Sequence, residues 1–156
     1  MRAQGAGHLF QISSIGGVTG FLNTGIYHAT KWALEGFSES LAQEVAPFGI
    51  GVTIVEPGPF RTDWNGDSMV RASPLPAYDE VLAARREAMS GALARTQPGD
   101  PRRAGEALLQ VLDSEQPPRR LLLGAMAADT GPRTYRERLQ EWERWDAVAR
   151  GADFPT

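Results

Sequence analysis

Apolar positions in this chain fall into short blocks that switch between two periods. His8-Leu9-Phe10-Gln11-Ile12-Ser13 is a brief apolar run followed by small polar residues and glycines, which predicts a strand. The loop behind it holds Gly16, Gly17, Gly20 and Gly25. From about Ile26 to Ala46 the period changes. Leu34, Phe37, Leu41 and Val45 recur at helical spacing and predict a helix with an apolar stripe, stopped by Pro47 and Gly49. Ile50 to Val55 is dense in β-branched residues and polar only at Thr53, the pattern of a strand covered on both faces in a parallel sheet. Strand, helix and strand with short joints make one βαβ unit, whose crossover is expected to be right-handed.

From Pro57 to Gly99 the pattern loosens. Pro, Gly, Ser and Asn cluster as far as Pro76, and a polar helix is expected from about Tyr78 to Leu93. So long an excursion is commonly a lid or a binding segment. A clear helix then starts near Pro101, with Asp100 as N-cap and Ala104, Leu108, Val111 and Leu112 as its apolar face. Pro117 and Pro118 end it, and Arg120 to Gly124 is a short strand. A last amphipathic helix is expected from about Pro132 to Ala149, with Tyr135, Leu139, Trp142 and Trp145 as packing residues. The order is β-α-β-lid-α-β-α, which predicts an α/β layered fold with three parallel strands. Strands covered on both faces should not stop at three, so the first strand is expected to lack a neighbour.

Composition narrows the function. The 156 residues suffice for one domain, and 42% hydrophobic with 22% charged residues excludes a disordered or collagen-like chain. A net charge of -3 offers no basic surplus for nucleic acid or anionic lipid. With no cysteine, disulfides, thiolate metal sites and a cysteine nucleophile are excluded. No apolar run approaches the ~20 residues of a membrane helix, and the polar start lacks the apolar stretch of a secretory signal, so a cytoplasmic location is expected. His8 and His28 are the only histidines, and no Asp, Glu or Cys is spaced to join them around a metal. His28 is expected to tune the edge of a site or to face solvent. The arginines from Arg133 to Arg150 alternate with Glu137, Glu141, Glu143 and Asp146, which reads as a solvated, ion-paired face.

The chemistry lies in the first third. Tyr27 and Lys31 stand four residues apart at the start of the first helix, hence on one face. A phenol is a poor proton donor or acceptor at neutral pH, and a nearby ammonium favours its ionised form. Ser14 ends the preceding strand, thirteen residues before Tyr27. The carboxyl end of a strand and the start of the next helix meet at the sheet edge where open α/β folds bind ligands. A hydroxyl there can donate to a substrate oxygen while Tyr27 transfers a proton. By itself Tyr-x-x-x-Lys is a common pair on a solvated helix. Its surroundings are Ile12-Ser13-Ser14, a glycine-rich loop, and Tyr27-His28-Ala29-Thr30-Lys31-Trp32-Ala33-Leu34-Glu35-Gly36-Phe37. Nineteen residues after Lys31 a strand begins that runs into Glu56-Pro57-Gly58-Pro59-Phe60-Arg61-Thr62.

On these linked motifs the chain resembles the short-chain dehydrogenase/reductase family, most closely from about Gly7 to Asp63. The resemblance implies the C-terminal half of a Rossmann-like, doubly wound parallel sheet. It implies an NAD- or NADP-dependent oxidoreductase interconverting a small-molecule alcohol and a ketone or aldehyde. Ser14 would polarise the carbonyl. Tyr27 would be the general acid in reduction and the base in oxidation. Lys31 would ease the ionisation of Tyr27 and bind the nicotinamide ribose. Pro57, Gly58, Phe60 and Thr62 would lie against the nicotinamide. Residues 1–63 would form the catalytic segment and nicotinamide-side turn, 60–97 the substrate-binding segment, and 98–156 a closing helix-strand-helix unit, all within one partial domain. Trp64 and Tyr78 flank the substrate segment, where they either line an apolar pocket or hold the segment down.

The departures from that family are equally specific. Its Thr-Gly-x-x-x-Gly-x-Gly turn and Asn-Asn-Ala-Gly segment are not in this sequence, so the adenosine and pyrophosphate sites are not expected here. Met1-Arg2-Ala3-Gln4 reads as the end of the helix that precedes the serine strand, and a truncated chain is expected. The resemblance also implies a homo-oligomer, as a dimer or tetramer; Trp142 and Trp145 read either as a dimer contact or as packing within the subunit. A rival expectation is a non-catalytic remnant serving as an interaction module, which an intact Ser14, Tyr27 and Lys31 opposes.

Overall fold

The computed structural model describes residues 1–65, 70, 72–88 and 96–154. Three parallel strands, β1 (Gly7–Ile12), β2 (Ile50–Pro57) and β3 (Arg120–Leu123), form one sheet in the order β1-β2-β3. Helices α1 (Gly25–Val45), α2 (Asp79–Ala88), α3 (Pro101–Leu112), α4 (Ala125–Arg144) and α5 (Asp146–Arg150) connect and cover it. This is the expected α/β arrangement. β2 lies in the middle and is buried along nearly its whole length, as its β-branched run demands. β1 is only half-buried, and no strand pairs with its outer side among the described residues.

Two turns fix the chain at the two edges of the sheet, Gly49 at the amino edge and the turn after Ser14 at the carboxyl edge. Gly49 has φ +67°, and a Cβ there would stand 2.3 Å from the Gly5 carbonyl oxygen, so only glycine lets α1 end and β2 begin beside β1. After β1, Ser14 caps a single 3-10 turn over Ile15–Gly17. Ile15 and Val18 of this stretch are buried against Ala127 of α4, with Phe21 and Leu122 packed alongside. The Asp100 side chain caps α3 by accepting from the Arg102 amide at 2.9 Å, as its sequence position predicts.

Helix α1 turns the expected stripe only partly inward: Leu34, Leu41 and Val45 are half-buried, and polar residues beside them take the most buried positions. Phe37 is 58% exposed, and the buried residues are His28, Glu35, Ser38 and Ala42. Polar groups can face the sheet because the sheet answers them. Arg120 of β3 donates to Glu35 and Glu39 of α1 and to Glu56 of β2, a charge-assisted cluster that ties three elements together. Burial lifts the Glu56 carboxyl to about pKa 7 against the opposing hydrogen bond from Arg120, with the Glu35 charge adding to the rise. Burial opposes the charge on Arg120, but its bonds to Glu39, Glu56 and Glu35 more than offset this and hold its pKa above the ordinary value. His8 has another cross-sheet role: Nε2 donates to Thr53 Oγ1 at 2.9 Å, and that hydroxyl donates to the Pro118 carbonyl at 2.6 Å.

The last helix also departs from expectation. It begins at Ala125 rather than Pro132, because Gly124 at φ +87° turns the chain straight out of β3, and Pro132 is accommodated inside it. Its buried face is Ala127, Gly131 and Thr134. Small residues are needed there, since a Cβ on Gly131 would lie 2.9 Å from Leu122 Cδ1. Tyr135, Leu139, Trp142 and Trp145, expected to pack, are exposed. The helix expected over Tyr78–Leu93 is present as α2, and the stretch from 89 to 93 lies outside the described residues.

Candidate active site

A cleft of about 430 Å³ opens at the carboxyl edge of the sheet, lined by the candidates Ser14, Tyr27, Lys31, Pro57, Gly58, Phe60, Thr62 and Trp64. A second, more open depression of about 620 Å³, lined by Arg61, Arg103 and Leu123, shares only Phe60 with that set.

Ser14 projects from the end of β1 as the cap of the following turn. Its Oγ accepts from the Gly16 amide at 3.0 Å, which occupies a lone pair and leaves the hydroxyl proton free to donate into the cleft. Tyr27 and Lys31 stack one turn apart on α1, the Lys31 ammonium 5.8 Å from the Tyr27 ring centroid. Lys31 Nζ donates to the Ile12 carbonyl at 3.0 Å, which fixes the cation across the cleft between α1 and β1.

Pro57 to Thr62 is held from two sides. The Gly58 amide donates to the Leu123 carbonyl at 2.9 Å, while the Gly99 amide donates to the Pro59 carbonyl at 3.2 Å and the Gly99 carbonyl accepts from the Arg61 amide at 2.9 Å. Trp64 completes one wall, its ring 5.4 Å from that of Tyr27. Trp64 therefore lines the cleft, whereas Tyr78 is exposed and does not.

Sequence reasoning left the place of His28 open and missed Phe21 and Arg85. Of the two places expected for His28, solvent is excluded, and the residue lines the cleft beside Tyr27. It is buried, with Nε2 accepting from the Phe21 amide at 2.8 Å and Nδ1 donating to the Gly16 carbonyl at 2.7 Å. Phe21 and Arg85 form the far wall, the guanidinium carbon 5.7 Å from the Phe21 ring centroid. Arg85 belongs to a helix that reads as an ordinary polar surface, so its sequence carried no signal.

Residues 1–71 match the family model described as short chain dehydrogenase. A crystal structure of a short-chain dehydrogenase from Streptomyces avermitilis superposes with a TM-score of 0.85 at 44% identity, covering 98% of this chain and 55% of that one. The chain belongs to the short-chain dehydrogenase family. Oxidoreductase BOA17 of Botryotinia fuckeliana is 37% identical over 145 residues, 93% of this chain and 53% of that protein. A short chain dehydrogenase/reductase from Burkholderia phymatum, solved in complex with NAD, shares the fold at 21% identity and a TM-score of 0.65, covering 90% of this chain and 51% of that one. The chain thus spans about half the length of the relatives it matches.

Proposed function

We propose that this cleft interconverts an alcohol and a ketone or aldehyde, with NAD or NADP as the redox partner. The observation that carries the reading is the joint placement of Ser14, Tyr27 and Lys31 around one opening. A free hydroxyl proton, a phenol and an anchored ammonium face a common space at the sheet edge. Packing alone requires no such set. Family membership and the NAD complex of a structural neighbour support the choice of redox partner.

The residues present suit the nicotinamide end of such a cofactor. Pro57, Gly58 and Phe60 offer a flat, mainly apolar wall, and Lys31 and Thr62 add polar groups at its border. When bound, the nicotinamide supplies a hydride to the carbonyl carbon or takes one from the alcohol carbon.

Ser14 donates a hydrogen bond to the substrate oxygen and draws charge onto it. Tyr27 gives its phenolic proton to that oxygen in reduction and recovers it in oxidation. Lys31 stabilises the phenolate that remains, as a preorganised cation does in a partly water-excluded site. Trp64 borders the substrate end of the cleft. The chain is proposed to act in the cytoplasm and as a homo-oligomer, and among the described residues no helix is long and apolar enough to cross a membrane.

The decisive experiment is calorimetric titration of the 156-residue chain with NADH and NADPH, followed by a carbonyl screen with Tyr27→Phe as control. Saturable binding, and turnover that falls by about 10²–10⁴-fold in Tyr27→Phe with binding retained, is expected. Absence of binding to both cofactors, or full activity in Tyr27→Phe, defeats the proposal.

A further inference from the structure

We infer that Arg85 makes this cleft selective for carbonyl compounds that carry a carboxylate away from the reacting carbon. The inference rests on reading the cleft as a carbonyl site. Its own basis lies on the wall opposite the sheet. Arg85 extends from α2 into the cleft, half-buried, with its Nε fully shielded and without a hydrogen-bond partner. A guanidinium nitrogen taken out of water and left unpaired is costly, and a ligand completes it only by displacing the groups that now shield it. The rest of the arrangement orients the group. Arg85 lies over the Phe21 ring, a cation–π contact that occupies the face of the guanidinium and leaves its N–H rim for a planar acceptor. Phe21 is in turn fixed by the hydrogen bond its backbone amide donates to His28, the neighbour of Tyr27, so the cation is held in register with the proposed reaction centre.

The charge balance of the cleft points the same way. Lys31 is the other cation among the described residues that line the cleft, and it is engaged with the Ile12 carbonyl. Among the described residues that line the cleft, none is Asp or Glu. Phe21, Trp64 and Met126 supply apolar surface between the two ends. A ligand that fits has a carbonyl near Ser14 and Tyr27, an apolar or aromatic middle, and a carboxylate that takes two parallel N–H bonds from Arg85.

The test is direct binding, which needs no turnover. Tryptophan fluorescence or NMR titration of the wild-type chain compares 4-acetylbenzoate with its neutral amide. The carboxylate is expected to bind at least about tenfold more tightly. Arg85→Gln abolishes the preference, and Arg85→Lys keeps part of it. ADP, standing in for the pyrophosphate of a cofactor, leaves the carboxylate in place. Equal affinity for the two probes, no binding of either, a preference that survives in Arg85→Gln, or displacement by ADP overturns the inference. A charge preference without hydride transfer would sink only the oxidoreductase reading. Hydride transfer without a charge preference would sink only this one.

Discussion

The Nδ1 of His28 lies 2.7 Å from the carbonyl oxygen of Gly16, and this contact joins the turn that carries Ser14 to the helix that carries Tyr27. The hydrogen positions follow from the partners. The Phe21 amide can only donate, so Nε2 must accept, and the ring proton must sit on Nδ1 facing Gly16. Trp32 Nε1 reaches the same carbonyl at 3.1 Å, so Gly16 is held by two donors from one helix. The serine and the tyrosine are thus set relative to each other by residues adjacent to both.

Replacing His28 should separate the two bonds. His28→Asn keeps a donor near Gly16 but strands the Phe21 amide, at a cost of about 1–3 kcal/mol. His28→Gln can still accept from Phe21, and the Gly16 carbonyl retains Trp32, so this variant should be the milder one. Urea denaturation together with hydrogen exchange at the Phe21 amide checks the order. Should Asn prove milder than Gln, the assignment of the ring proton is wrong.

Gly16 is a second sensitive point. A Cβ there would stand 3.0 Å from both His28 Nδ1 and Tyr27 Cε1. The Gly16→Ala methyl should therefore push the tyrosine ring rather than break the fold. A misplacement of ~1 Å can cost about 10²-fold in rate, whereas modest overpacking costs roughly 1–3 kcal/mol of stability. Turnover should fall at least tenfold, roughly, in a protein that still unfolds cooperatively. Wild-type turnover would show that the ring has room to move.

Much of this was legible because it is local. Ser14, Tyr27, Lys31 and the turn from Pro57 to Thr62 sit at the ends of consecutive elements, and a βαβ unit brings such ends to one edge. What could not be read was the polar part of the inner face of α1. Apolar periodicity favoured Leu34, Phe37, Leu41 and Val45, yet the helix buries Glu35 and Ser38. Glu35 is tolerated there because Arg120 arrives from a strand 85 residues away, and no local pattern signals such a partner. Arg85 went unnoticed for a related reason: an arginine on a polar helix becomes informative only once its nitrogen is seen to be buried without a partner.

Removing that distant partner should be severe. Arg120→Met leaves Glu35 and Glu56 buried without their cation, and breaking a buried pair on one side costs about 3–5 kcal/mol. Adding Glu35→Gln and Glu56→Gln to the same background removes the stranded charges and should recover a large part of the loss. Denaturant midpoints of the single and triple variants make the comparison. If the triple variant is no more stable than the single, the cost lies in lost packing of the arginine stem instead.

Acid and base should act on this fold through two opposed groups. The Glu56 carboxyl, raised from 4.5 to about 7 chiefly by burial, keeps a proton that the unfolded chain has already released between those values. Its contribution to stability is complete below 4.5 and is lost as the pH rises through about 7. Glu56→Gln should therefore gain on the wild type as the pH is raised across that window, by an amount on the order of 1 kcal/mol or more. His8 works in the other direction. Burial lowers its pKa below 6.5, so its contribution is present above 6.5 and is lost as the pH falls through the folded value. His8→Gln should flatten the acid side of the profile. Unfolding midpoints of the three proteins at about pH 5 and about pH 8 separate the groups. If Glu56→Gln tracks the wild type at both values, the carboxyl is ionised throughout, and Arg120 holds it more firmly than burial opposes it.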